Sequence, residues 1–456
     1  MSKKSDILLM NFFIFNSTYG PKEGEEEKKI LYFYPPATDI DEKIKQIGHI
    51  DRVLFARTFS DQPCESVHNQ KTRLLFYEAE PNFWFVMSVS IPYSQRVKDG
   101  QTFVEYHEED IQDSLFRVVL QQAYSMFKLF NGTFHGLLER SGIDSLKHRF
   151  EQFYTKYLLT LNLKHSDILD IFDGIHFLPL DKNTYLRIQC FINQIEAAFP
   201  QIKYTAFLYN DQVVWSGLEQ EDMRVIYRYL KTTLFPAYME QEFQVQSSPA
   251  HSSALSSPAS NPGHYGKFIL GPPNVHDITC PGKTHRTYLN THTETTEECH
   301  LVVYRALSAT ICLFVEGDFQ LNFDFWRKLD SRLGPQLGQL ASDIAEHYAK
   351  RTNTLVSEPM FKYVYFNHMN LATKTTLHVD STKTSGASIS PELLRIICDL
   401  NHDLSSIDSS DDGEIFVKSC GDSWVVGKKS DQREFYVVIN QKNANLIEIN
   451  GECFLL

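Results

Sequence analysis

The sequence predicts an α+β protein made of three similar units, each a five-stranded antiparallel sheet packed with helices. Strand-like and helix-like segments recur in the same order three times along the 456 residues. Phe, Trp and Tyr make up 13% of the chain, a share that favours strands and contact faces. Helices laid against antiparallel sheets are the α+β plan, and a chain of this length accommodates roughly two to four domains.

The first unit starts with two strands and a helix. Residues 7–15 form an apolar run that follows two lysines, as in a signal peptide. However, Asp6 and Asn11 interrupt the signal-peptide pattern, and no small-residue cleavage site follows. A strand is therefore predicted. A second strand is predicted at 29–34, and Ile40, Ile44 and Ile47 recur at helical spacing. Further strands and a closing helix are predicted at 73–77, 83–89, 102–106 and 111–129.

The second unit repeats this order. Two strands flank the turn Asn210-Asp211, and a helix ends at Pro236. Four strand candidates follow, at 267–270, 286–289, 300–304 and 309–315. The long helix after them has an apolar stripe from Trp326 to Ile344, and Gly334-Pro335 is expected to kink or break it near the middle.

The third unit has strands at 362–369 and 374–379, a helical stripe at 393–404, and strands at 414–418, 423–427 and 434–439. Few residues follow the last strand, so a short or absent closing helix is expected. One face of the third sheet would then stay apolar and need a partner to cover it.

These patterns give the predicted domain boundaries. The first domain is placed at 1–165, a helical connector at 166–200, the second domain at 201–350 and the third at 358–456 with a truncated closing helix. A disordered insert is predicted at 241–264 within the second domain. It contains the run QVQSSPAHSSALSSPASNP, which is rich in Ser, Ala and Pro and has no apolar periodicity.

Charge and cysteine usage narrow the class of protein. Lys and Arg total 44 against 57 Asp and Glu, a formal net charge of −13, which disfavours non-specific nucleic-acid binding because that depends on neutralising phosphates. The eight cysteines form no CxxC pair and indicate reduced thiols in a cytosolic protein. Every uncharged apolar stretch is shorter than the roughly 18 residues that suggest a membrane span.

No pattern of catalytic residues is convincing. Gly282-Lys283-Thr284 resembles the end of a phosphate-binding loop, but Asp277 stands where the first Gly is required. His368 lies in a predicted strand and is interpreted as a structural histidine. A set of soft metal ligands has a spacing that matches no zinc pattern, namely Cys280, His285, His292, Cys299 and His300. We expect neither an active site, nor a cofactor, nor a metal.

Long residue strings resemble a known family. They include FFIFNSTYGPKEGEEEKKILYFYP (Phe12–Pro35), KYTAFLYNDQVVWSGLEQEDMR (Lys203–Arg224) and VVGKKSDQREFYVVINQKNANLIEIN (Val425–Asn450). These strings resemble the vacuolar fusion protein Ccz family, and the resemblance covers nearly the whole chain except the Ser/Pro-rich insert.

The resemblance implies three longin domains and a function. Members of this family form an obligate heterodimer with a Mon-family longin subunit, and the pair is a guanine-nucleotide exchange factor for a late-endosomal Rab GTPase of the Rab-seven type. In animals a third regulatory subunit is expected. The implied location is cytoplasmic and peripheral on late endosomes, lysosomes and autophagosomes, where the complex would act in endosome maturation, vacuole or lysosome fusion and autophagosome–lysosome fusion. The alternative is a longin-based trafficking adaptor without exchange activity.

One helix of the first unit is the predicted contact site for the partner and the Rab. It spans about 39–55, and the residues near its accessible end are Ile44, Ile47, Gly48 and His49. In the alternative interpretation, Ile44 and Ile47 simply pack on their own sheet. No catalytic residue is assigned, because the decisive ones in this family can belong to the partner subunit.

Overall fold

The computed structural model describes residues 4–22, 24–56, 65–98, 101–161, 163, 168–247, 266–277, 279–280, 282–290, 296–354, 361–377, 389–407, 412–421, 423–441 and 445–449. Three antiparallel sheets follow one another along the chain, and each has at least one helix packed on it. The three sheets define the first, second and third units.

The first unit contains a five-stranded sheet in the order β2-β1-β5-β4-β3. Helix α1 packs on one face of this sheet, and helices α2 and α3 pack on the other, so two separate apolar clusters flank it. Its elements are β1 (Leu9–Asn16), β2 (Ile30–Tyr34), α1 (Ile40–Ala56), β3 (Ser66–His68), β4 (Thr72–Glu80), β5 (Phe83–Ser90), a separate hairpin of β6 (Tyr93–Lys98) and β7 (Gln101–Tyr106), α2 (Asp113–Asn131) and α3 (Phe134–Thr160).

The second unit contains a six-stranded sheet, in which β10-β12-β13-β8-β9 form the main path and β11 pairs with the other end of β12. Helix α6 packs on one face, and α5 and α8 pack on the other. Its elements are α4 (Ile168–Phe172), α5 (Lys182–Ala198), β8 (Ile202–Tyr209), β9 (Gln212–Ser216), α6 (Gln220–Tyr229), a π-helical turn (Leu230–Leu234), α7 (Phe235–Ser247), β10 (Gly266–Leu270), β11 (His285–Asn290), β12 (Thr296–Ala306), β13 (Ala309–Glu316) and α8 (Phe323–Thr354).

The third unit returns to the five-stranded order, β15-β14-β18-β17-β16. Helix α9 packs on one face, and Ser390 begins this helix by accepting a hydrogen bond from the N–H of Leu393. Its elements are β14 (Lys362–Asn367), β15 (Ala372–Thr375), α9 (Pro391–Ser405), β16 (Gly413–Lys418), β17 (Trp424–Ser430) and β18 (Arg433–Ile439).

An extended segment joins the second and third sheets edge to edge. Ile175 forms a parallel bridge with Ala372 of β15, and Phe177 forms one with Val213 of β9. The N–H of Ile175 donates to the carbonyl of Leu371 at 2.7 Å, and the N–H of Val213 donates to the carbonyl of His176 at 2.8 Å. The connector therefore bridges the facing edges of the two sheets through single-residue pairings, and the cores of the two units merge into a single apolar cluster.

The first unit lies against this joined body through α2. Met126 and Leu129 of α2 enter the shared core of the second and third units. Polar contacts add to the packing, since Lys128 donates to the side chain of Asn290 at 2.9 Å and Gln112 donates to that of Asp399 at 3.0 Å. The chain is thus arranged as one unit resting on a fused pair.

The prediction of three α+β units with antiparallel sheets is confirmed, although three details were wrong. Residues 102–106 belong to the separate β6–β7 hairpin, and β3 supplies the missing edge strand of the first sheet. The predicted break at Pro335 is absent, since α8 continues through this residue and buries Leu333 and Leu337 on either side of it. The second sheet has six strands, since β11 pairs with part of the long strand β12.

The connector predicted at 166–200 is only partly helical. Residues 175–177 are extended between two sheets, and α5 packs on the outer face of the second sheet together with α8. Helix α7 continues to Ser247, past the predicted start of the insert at 241, and most of the rest of the insert lies outside the described residues.

Candidate partner-binding surface

Helix α1 of the first unit carries the predicted contact residues. Asp39 precedes the helix, and its carboxylate accepts the N–H of Asp41 at 3.2 Å, which satisfies one of the free donors at the helix start. Ile47 and Ile50 point to the sheet, where they pack with Phe13, Phe15 and other residues of one apolar cluster. The apolar spacing therefore positions α1 as the cover for this face of the sheet.

The four predicted residues have different environments on α1. Ile47 is fully buried (0% exposed) and packs on its own sheet, as the alternative interpretation requires. Ile44 and Gly48 are half-buried at the flank of the helix, and His49 is exposed. The role of these residues in partner binding stays a prediction, and only Ile44, Gly48 and His49 are accessible enough to contact another chain in this arrangement.

A narrow apolar strip runs along the accessible flank of α1. Ile40, Ile44 and Gly48 are spaced four residues apart and therefore share one side of the helix. Ile40 is 42% exposed, and a Cβ atom added to Gly48 would meet no atom within 4 Å. Ile40 belongs to the helix stripe predicted from the sequence, but it is not one of the four predicted contact residues.

Other surfaces of the described chain also expose apolar side chains, and two of them stand out by their place in the fold. Phe103 and Val104 on the β6–β7 hairpin are 53% and 46% exposed. On the outer face of the third sheet, Val426, Val437 and Ile439 are buried together with Ile449, while the surrounding aromatic side chains are only half-buried, namely Phe361, Tyr363, Phe416, Trp424 and Phe435. Residues 446–449 form a short helical turn there, and the predicted need for a partner on this face stays a prediction.

The buried carboxylates of the first and third units are held in local networks. Glu80 accepts hydrogen bonds from the Tyr124 hydroxyl at 2.9 Å and from the N–H of His135 at 3.0 Å, which anchors the start of α3. In the third unit, Glu434 contacts His368 at 2.8 Å and accepts from Asn401 at 3.0 Å. Burial raises the pKa of Glu434, but these hydrogen bonds outweigh it and hold the pKa below its usual value. His368 is thus a partner of a structural carboxylate.

The second unit has buried charges of a different kind. Burial raises the pKa of Asp222 to about 6, although the carboxylate accepts two hydrogen bonds from Asn290. Arg228 forms an ion pair with Asp173 at the start of the extended connector, and burial lowers the pKa of this guanidinium to about 10. Both pairs join α6 to neighbouring segments of the second unit.

Neither metal-ligand clusters nor membrane-spanning helices occur in the described residues. No group of three or more His, Cys, Asp or Glu side chains in the described ranges is arranged to hold a metal ion. Within the same ranges, no helix combines the length and the apolar character that crossing a bilayer requires.

Family models match each of the three units. The model described as the first longin domain of INTU, CCZ1 and HPS4 matches residues 9–132, Intu longin-like domain 2 matches 202–334, and Intu longin-like domain 3 matches 357–456. The fold is therefore that of a protein with three longin-like domains, as the sequence predicted.

Curated relatives identify the family. The chain is 53% identical over 447 residues to the vacuolar fusion protein CCZ1 homolog of Nematostella vectensis, which covers 97% of this chain and 95% of the relative. Identity is 49% over 449 residues to the Xenopus laevis homolog and 30% over 449 residues to that of Dictyostelium discoideum, each covering 97% of this chain and 94% of the relative. The chain belongs to the vacuolar fusion protein CCZ1 family.

Proposed function

We propose that this chain is one subunit of a heterodimeric guanine-nucleotide exchange factor that activates a late-endosomal Rab GTPase. The family places the protein in membrane trafficking. The arrangement of the three units supports the exchange-factor proposal, because the connector bridges the second and third units while the first presents the accessible flank of α1. In this proposal the first unit pairs with a Mon-family longin subunit and faces the Rab, and the other two form a support.

Exchange of this kind needs no covalent catalysis. An exchange factor accelerates nucleotide release by binding the nucleotide-free GTPase better than the loaded one, which shifts the equilibrium toward release. Displacing the switch segments that hold Mg²⁺ and the phosphates is enough. The subunit is therefore proposed to be an exchange factor and not an enzyme with its own active site, peripheral on late endosomes, lysosomes and autophagosomes, with a third regulatory subunit in animals.

The experiment is to co-express the chain with a Mon-family subunit and to measure release of a fluorescent nucleotide from the Rab. We expect the pair to accelerate release and either subunit alone to leave the rate unchanged. Stable pairing without acceleration would favour the trafficking adaptor, and acceleration by this chain alone would contradict the two-subunit proposal.

A variant tests the part that α1 plays. Ile44→Asp places a charge on the accessible strip and should weaken pairing or Rab activation at least tenfold, because a desolvated carboxylate in an apolar contact costs several kcal/mol. Arg332→Asp, on an exposed position of α8, is the matched control. An unchanged exchange rate for Ile44→Asp, with the variant folded, would remove the strip from the proposed contact.

A further inference from the structure

Two adjoining cavities lie where the first unit meets the second. The larger has a volume of about 510 Å³, and half of its lining residues are apolar, among them Met126, Phe153 and Tyr229. Its charged lining residues are Lys156, Asp170 and Arg228. The smaller has a volume of about 420 Å³ and is lined by Arg149 and the β11 residues His285, Arg286 and Tyr288. Phe130 lines both cavities, so they adjoin at this side chain. The two cavities together are called the groove below, with the larger as its apolar part and the smaller as its basic part.

Helix α3 connects the two parts of the groove. Arg149 lines the basic cavity, and Phe153, Tyr157 and Thr160 line the apolar one. These residues are three or four positions apart, which places them on one side of the helix over a length of about 16 Å. A ligand lying along α3 would therefore contact a cation at one end and apolar side chains along the rest.

Several polar groups in the groove have no partner among the described residues. Arg149 and Lys156 are exposed and make no ion pair there, although the chain carries a net charge of −13. The Tyr157 hydroxyl makes no hydrogen bond with a described residue either. Burial raises the pKa of this phenol to about 12, so it keeps its proton and can donate to a ligand. Other cations at the groove are partly neutralised, since Arg286 pairs with Glu298 at 2.6 Å and Arg228 pairs with Asp173.

The rim opposite α3 has an unusual backbone. Leu230–Leu234 is a π-helical turn, and its residues Thr232 and Thr233 are exposed on the edge of the apolar cavity. Turns of this type are rare and occur frequently at functional sites. The turn is a second, independent feature of the same groove, and it places hydroxyl groups beside the mouth of the cavity.

We propose that this groove binds one molecule of a single-chain anionic amphiphile. Its acyl chain would lie in the apolar cavity against Phe153 and Tyr157, and its carboxylate or phosphate monoester would contact Arg149. The volume of the apolar part falls within the range of roughly 300–1,000 Å³ that is usual for small-molecule sites, and such sites are common where domains meet. A charged oxygen facing a guanidinium is the strong form of hydrogen bond.

The ligand would contact both the first and the second unit. It would bridge α3 to the π-helical turn and thereby favour one orientation of the first unit on the fused pair. Binding itself does not depend on the proposed exchange activity, so the two proposals are tested separately.

Direct titration of the full chain tests this inference without depending on the proposed partner subunit. The probes are oleate, 1-oleoyl-lysophosphatidate and the neutral monoolein, each kept below the concentration at which it forms aggregates. We expect saturable binding of one molecule per chain, at least tenfold tighter for an anionic probe than for monoolein. The ratio between oleate and lysophosphatidate identifies the head group.

Three variants localise the binding. Arg149→Glu should weaken binding of the anionic probes at least tenfold and leave monoolein unchanged, while Thr160→Trp, at an exposed position on the rim, should weaken all three by filling the cavity. Arg332→Glu is the matched charge reversal on an exposed position far from the groove in sequence and should change nothing. Absence of saturable binding, equal affinity for charged and neutral probes, or insensitivity to Arg149→Glu would overturn the proposal. Displacement of the probe by a tighter-binding acidic amphipathic peptide would assign the groove to a peptide instead.

Discussion

The second and third units have similar sheets but different covers. On the outer face of the second sheet, α8 runs for 32 residues and buries Trp326, Leu329 and Leu333 almost completely, with α5 beside it. On the same face of the third sheet, the described chain supplies a short helical turn ending in Ile449, and the surrounding aromatic side chains stay half-buried. The same strand order therefore occurs with two different outer layers, a long helix pair in the second unit and a short helical turn in the described part of the third.

The largest expected effect compares one buried isoleucine from each cover. Ile344 of α8 and Ile449 of the terminal turn are both fully buried (0% exposed). Replacing either by Ala removes the same atoms. The loss of unfolding free energy then differs only in how far the surrounding side chains move to fill the cavity. We expect Ile344→Ala to lower the unfolding free energy of the second unit by about 4 kcal/mol, and Ile449→Ala to lower that of the third unit by about 2 kcal/mol.

Hydrogen exchange of β13 and of β17 measures the two effects unit by unit. This readout is needed because a chain with several units has no single free energy of unfolding. Equal costs for the two variants would mean that the third unit is as firmly covered as the second.

The pH dependence of stability should have opposite signs in the two units. The raised pKa of Asp222, about 6, means that the folded second unit binds a proton more readily than the unfolded chain does. Its stability should fall as pH rises from about 4 to about 6, by about 3 kcal/mol in total. The lowered pKa of Glu434 predicts the reverse for the third unit, whose stability should fall as pH decreases below the usual range for glutamate.

Asp222→Asn and Glu434→Gln are the matched variants for this prediction. Each should flatten the pH dependence of the stability of its own unit and leave the stability of the other unit unchanged. Hydrogen exchange at a series of pH values measures both. A slope of the same sign in both wild-type units would contradict the environments described for these two carboxylates.

A smaller effect is expected at the junction between the two units. A Cβ atom on Gly174 would lie 2.5 Å from the Cβ of Thr373 and 3.1 Å from the ring of Phe366. Gly174→Val should therefore push the connector away from β15 at a cost of about 2 kcal/mol. Faster hydrogen exchange at Thr373, with unchanged exchange in the middle of β13, is the expected result.

The smallest effect concerns α8 alone. Gly338 lies inside this helix, and a Cβ atom there would meet no atom within 4 Å. Gly338→Ala should stabilise the second unit by about 1 kcal/mol, because Ala loses less backbone entropy than Gly in a helix interior. A raised melting temperature of the second unit checks this, and a lowered one would reveal a close contact at this position.

The recurring order of strands and helices was predictable because it depends on local patterns. Alternating apolar residues in the strands, helical spacing in α6, α8 and α9, and turn residues such as Asn210-Asp211 all act over a few residues. The prediction failed where the same local pattern suits two arrangements. Residues 102–106 form a strand whether they pair within the first sheet or outside it. Their hydrogen bonds to β6 place them in a separate hairpin.

The candidate surface on α1 was predictable only as a helix. The isoleucine spacing identifies the element, but which isoleucine faces the sheet depends on the rotation of the helix about its axis. That rotation is set by packing against Phe13 and Phe15, which buries Ile47 and leaves Ile40 accessible. The groove between the first and second units had no sequence signal at all, because Arg149, Phe153 and Tyr157 become its lining only when α3 meets the π-helical turn.

The sequence by itself determined the three α+β units and, through its long residue strings, the family. Tertiary structure alone decided that the extended connector bridges the edges of two sheets, that α5 covers the second unit, and that Pro335 is accommodated within α8. The physical reason is the range of the interactions. Strand and helix patterns are local, whereas edge pairing, helix docking and cavity formation depend on contacts between residues far apart in the chain, which no local pattern encodes.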